Sequence, residues 1–192
     1  SGFLFIAWHQ PHVPLAVYRG AQFSVQLDGS TVEFPAAPID IPPGTLARWP
    51  IGLSLGGVCI DWATASALTV LPGSVPTLVL VAEAGIEVTY SVGGVVATVE
   101  PGLSPVRLRQ GGGELDLLVL PAAVAAEIWV CDAPRRRLLL SAHELTWGPS
   151  GERDPRRAAA VRDGVLEALR EGRLDDVARR GGDPWARAGS VA

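Results

Sequence analysis

The chain has 192 residues, 48% hydrophobic and 19% charged, with a formal net charge of −4. This is enough apolar material for one medium domain with a real core, which excludes general disorder. The negative balance gives no general attraction to nucleic acid, so no nucleic-acid partner is expected. No apolar run approaches the ~20 residues that span a bilayer, so no membrane partner is expected either. All 16 basic residues are arginine, and lysine, asparagine and methionine are absent. That usage is expected of a GC-rich bacterial coding sequence.

The first element is the stretch "FLFIAW", Phe3 to Trp8. It is too short for the core of a signal peptide, and no basic residue precedes it. Starting at full hydrophobic pitch without a methionine, it is expected to lie inside a longer polypeptide. As a strand it places Phe3, Phe5 and Ala7 on one face and Leu4, Ile6 and Trp8 on the other. One set is expected to be buried and the other partly exposed, as at an interface that lacks its partner.

Alternating strands follow. "QFSVQL" and "TVEF" flank Asp28-Gly29, a hairpin signal. Next comes "IDIPPGTLARWPIGLSL", whose prolines restrict pairing. "VCIDWATA", "ALTVL", "TLVLVAE" and "IEVTYSV" continue the series, and Gly93-Gly94 turns the chain into "VVATVE". Then come "PVRLRQ", "ELDLLVL", "EIWVCD", "RRLLLSA" and "ELTW", with residues 121–127 as a short helical interruption. Strands spaced about ten residues apart with turn residues between them predict an all-β sandwich or barrel over residues 1–147. The segment 148–155, "GPSGERDP", reads as a linker, and 156–192 as an amphipathic helical tail. From Gly148 onward, linker and tail together, nine arginines interleave with eight acids, which again speaks against nucleic acid.

Few motifs carry chemistry. "GLSLG" at 52–56 fits the nucleophile elbow of a serine hydrolase, with Ser54 as nucleophile and Asp116 or Asp132 and His143 to follow. That elbow needs a strand, a turn and a helix, whereas here another strand follows, so a glycine-rich bend is expected. His9 and His12, with His143, form a sparse candidate ligand set, and no acid lies near the pair, so no metal site is assigned. The glycine clusters at 111–113 and 181–182 do not open a helix as a phosphate loop must, and no cofactor is expected. Cys59 and Cys131 are expected to be buried thiols. Of six tryptophans, Trp62 and Trp129 are expected in the interior. Trp8 beside His9 is the candidate exposed aromatic, the flat apolar surface on which a sugar ring stacks. Trp8 and His9 are therefore the candidate ligand-binding residues, with carbohydrate as the ligand. No catalytic residue is assigned.

Several segments together resemble a known family. These are Phe3-Leu4-Phe5 with Gln10, then Ile41-Pro42, Trp49-Pro50 and Leu53-Ser54-Leu55-Gly56-Gly57. Ala63-Thr64-Ala65 and Leu139-Leu140-Ser141-Ala142 complete the series. In this order and spacing they resemble the β-rich region that follows the catalytic barrel in bacterial β-galactosidases of glycoside hydrolase family 35. Trp8-His9, Trp62 and Ser66 depart from that pattern. The resemblance implies a jelly-roll-like β-sandwich, with the (β/α)₈ barrel of the same polypeptide as its partner. It also implies a retaining mechanism with two glutamates on that barrel. The acid/base segment of the family contains an asparagine, and this chain has none. The chain is therefore expected to be a non-catalytic accessory region, inactive alone, with a stand-alone carbohydrate-binding module as the alternative.

Overall fold

The computed structural model describes residues 1–27, 29–131 and 136–140. The linker and helical tail expected at 148–192 lie outside these residues, as do Asp28, Asp132, His143 and the strand "ELTW". In chain order the strands are β1 (Gly2–Trp8), β2 (Tyr18–Leu27), β3 (Ser30–Ile41), β4 (Thr45–Leu55), β5 (Val58–Ala63), β6 (Ser66–Leu71) and β7 (Thr77–Val81). They continue with β8 (Thr89–Val92), β9 (Val95–Thr98), β10 (Val106–Gln110) and β11 (Gly113–Leu120). A single turn of helix, α1 (Ala122–Ala125), precedes β12 (Ile128–Cys131) and β13 (Arg137–Leu140). The protein is an all-β sandwich, as the alternation predicts, and the one short helix among the described residues sits where the sequence interrupts the strands.

The chain divides into two compact units. The first comprises Ser1–Gly102 and Val106–Ala122. It holds a five-stranded sheet in the order β1-β4-β5-β8-β9, a four-stranded sheet β10-β11-β7-β6, and the hairpin β2-β3. The second, from Ala123 onward with Leu103–Pro105, contains the hairpin in which Ile128 to Cys131 pair with Leu140 to Arg137.

The five-stranded sheet contributes to two cores. Val58, Ile60 and Tyr90 pack with Leu78, Leu80, Leu108, Leu115 and Leu117 of the four-stranded sheet. Trp49, Ile51 and Trp62 pack instead with Phe34, Phe23 and Val25 of the hairpin. The switch within β5 coincides with a register shift against β8 between Ile60 and Trp62. An extra residue at such a point sends the next side chain to the other face. Both sets of apolar residues are thereby buried, although strict alternation would put Ile60 and Trp62 on the same side.

Two features hold the sheets in register. The turn after β4 runs through Gly56 and Gly57, both with positive φ, and Gly56 O accepts from Glu114 N at 3.0 Å. β11 pairs with β10 in the antiparallel sense but with β7 in parallel, from Asp116 opposite Thr77 to Leu120 opposite Val81. That parallel pair closes the four-stranded sheet and was not apparent in the sequence.

Candidate functional site

β1 has two unlike faces. Among the described residues it lies at the edge of its sheet and pairs with β4, from Gly2 opposite Ile51 to Trp8 opposite Thr45. Leu4, Ile6 and Trp8 pack against the hairpin core. Phe3 and Phe5 point the other way and are 44% and 72% exposed. This is the separation expected of the strand, and it identifies which face is open. The register also adds residues from β4 to that face: Leu46 opposite Ala7, Arg48 opposite Phe5 and Pro50 opposite Phe3. Leu46 is 65% exposed. Two phenylalanines and a leucine standing together in solvent form a contiguous apolar strip.

Arg48 sits on this strip. Its guanidinium carbon lies 5.9 Å from the centroid of the Phe3 ring, within cation–π range. Its Nε donates to Ala67 O at 3.1 Å, and its Nη2 donates to the same oxygen. Its own backbone N–H donates to Ser66 Oγ at 2.8 Å. Leu46 and Arg48 escaped the sequence reading, yet "TLARW" alternates. Ala47 and Trp49 are buried, which leaves Leu46 and Arg48 for the open face.

The candidate ligand-binding residues Trp8 and His9 separate. His9 is exposed just past the end of β1. Trp8 is half-buried, its Nε1 donates to Ala16 O at 2.9 Å, and its ring meets Tyr18 edge-on at a centroid distance of 5.5 Å. The two aromatics line a crevice of about 240 Å³ between β1 and β2. Tyr18, 53% exposed, is the member that sequence reading missed. Nothing in the local pattern signals that β2 returns alongside β1.

Among the described residues the serine-hydrolase pattern does not assemble, and Asp132 and His143 lie outside them. Ser54 lies on β4, which turns directly into β5 rather than into a helix. It lines a groove of about 840 Å³ with Cys59, Asp61 and Ser91, and among the described residues no histidine lines that groove. Asp116 is engaged on another sheet by Arg107. Asp61 Oδ2 accepts from Ser91 Oγ at 2.7 Å and Gly94 N at 2.8 Å, which makes it a brace for the β8–β9 turn. Cys59 is half-buried with a free thiol. Trp62 is buried as expected, whereas Trp129 is only half-buried.

A second polar cluster surrounds Glu83. Its carboxylate accepts from Trp49 Nε1 at 3.1 Å and from Ser66 Oγ. Burial pushes this carboxyl above the usual carboxylate range, and the Ser66 and Trp49 hydrogen bonds partly oppose that. Among the described residues, no group of three or more His, Cys, Asp or Glu side chains is placed to hold a metal ion. No protein-family model matches the chain, and no curated protein matches it significantly.

Proposed function

We propose that the chain is a non-catalytic β-sandwich region of a β-galactosidase resembling glycoside hydrolase family 35. In this reading it packs on the (β/α)₈ barrel of the same polypeptide and supports galactoside hydrolysis there. The observation that carries the reading is the open apolar strip of Phe3, Phe5 and Leu46 on one face of β1 and β4. Strips of this kind on soluble domains mark interfaces. The placement of the family-like segments supports it further. "FLF" lies in β1, "WP" and "LSL" lie in β4 with Gly56-Gly57 as its turn, and Ala63-Thr64-Ala65 links β5 to β6.

Two measurements test this. The coding frame that contains the chain is expected to encode a barrel with paired glutamates. The 192-residue chain alone is expected not to hydrolyse nitrophenyl-β-galactoside, whereas the whole polypeptide does. Turnover by the isolated chain that vanishes on replacing one glutamate would overturn the reading.

A second reading rests on the aromatic crevice. There Trp8 and Tyr18 would stack on a pyranose ring, making the chain a carbohydrate-binding module. Calorimetric titration with methyl-β-galactoside separates the two. Binding that disappears in Trp8→Ala favours the module.

A further inference from the structure

We infer that the open face of β1 and β4 docks a protein surface that is apolar at its centre and presents a carboxylate to Arg48. This rests on the reading of the chain as a region packed on a neighbouring domain. The first compact unit holds four arginines: Arg19, Arg48, Arg107 and Arg109. Arg19 pairs with Asp40 at 3.2 Å, Arg107 with Glu114 at 3.0 Å, and Arg109 with Glu114 at 2.8 Å. Arg48 has no carboxylate partner among the described residues.

Arg48 is nevertheless held in place. Of the five N–H groups of a guanidinium, Nε and one on Nη2 are spent on Ala67 O. Five less two leaves three without a partner among the described residues. The plane is fixed by that carbonyl and by the Phe3 ring, so a carboxylate arriving from a partner meets a pre-set donor fork. A purely apolar partner would bury the guanidinium unpaired, which is strongly unfavourable. A second copy is the wrong occupant for the same reason. A two-fold contact of this face with itself sets apolar strip on apolar strip but brings Arg48 towards its own counterpart, and like charges repel across an interface.

The full 192-residue chain can be tested with two flat apolar dyes, anilinonaphthalene sulfonate as the anion and Nile red as the neutral control. Phe5→Thr is expected to weaken both. Arg48→Gln is expected to weaken the anion by about tenfold and leave Nile red unchanged. Arg48→Lys, which keeps the charge but not the fork, is expected to bind the anion more weakly than wild type and more tightly than Arg48→Gln. Sedimentation velocity on the same samples is expected to show a monomer. Anion binding that Arg48→Gln leaves unchanged overturns the inference, as does equal loss of both dyes. A dimer that dissociates on Phe5→Thr overturns it in favour of self-association. The galactosidase reading is decided separately, by the coding frame and the galactoside assay. The anion site can hold with no barrel beside it, and a barrel can be present although Arg48→Gln leaves the dye untouched.

Discussion

Nε1 of Trp49 donates to Oε2 of Glu83 at 3.1 Å, joining the middle of β4 to the chain just beyond β7. Burial holds the Glu83 carboxyl above its ordinary range. The unfolded chain returns it to that range. A raised folded value means the native state binds the proton more tightly, so this contribution to stability is present at low pH. It is lost as pH rises through the raised value. Glu83→Gln removes that dependence. The melting temperature of Glu83→Gln relative to wild type is therefore expected to rise between about pH 4 and pH 7. A constant difference across this range would show that the carboxyl is not displaced.

The two faces of β1 predict opposite outcomes. Leu4→Thr with Ile6→Thr removes side chains packed in the hairpin core, and a loss of roughly 3 kcal/mol or more is expected. Phe3→Thr with Phe5→Thr acts on the open face, so a change below about 1 kcal/mol is expected, with improved solubility. Urea denaturation and the concentration at the onset of turbidity check both.

Gly56 and Gly94 both have positive φ, so alanine is strained at either. At Gly94 an added Cβ meets nothing within 4 Å, and a cost of about 1 kcal/mol is expected. At Gly56 it collides with the Glu114 carbonyl oxygen and lies 2.8 Å from Pro76 Cγ. There the joint between the sheets must open, and Gly56→Ala is expected to cost about 3 kcal/mol or more. Equal melting temperatures for the two variants would mean that the joint is soft.

Asp61 braces the β8–β9 turn through Ser91 and the Gly94 amide. Asp61→Ala leaves both donors without this acceptor, and a loss of about 1–3 kcal/mol is expected. Ser91→Ala removes only one of the two bonds and is expected to cost less. Thermal denaturation of the two variants side by side gives the ranking.

Strand positions were legible because one face of most strands is buried and the other is not. "QFSVQL" and "TVEF" became β2 and β3, with Leu27 opposite Ser30 across the expected turn and Gly29 at positive φ. The two faces of β1 followed from period two alone. The Arg48 site was not legible, because it depends on which strand pairs with β1 and in what register. The Glu83 cluster was hidden for the same reason, since Trp49, Ser66 and Glu83 are brought together only by tertiary packing. The expectation that Trp129 fills the interior failed because alternation within "EIWVC" says which residues share a face, not how deeply that face is covered.

The parallel pairing of β7 with β11 governs the order in which this protein can be made. β7 ends at Val81 and β11 begins only at Gly113, so β7 waits for a neighbour that has yet to leave the ribosome. Leu115, Leu117 and Val119 of β11 then fill the core between the two sheets. Until they arrive, Leu78 and Leu80 have only β6 beside them and an unpaired edge on the other side. Closing so long a loop is slow, and an open apolar edge is where nascent chains associate. Synthesis that stalls between Val81 and Leu120 is therefore expected to leave the β7 edge and its apolar face uncovered.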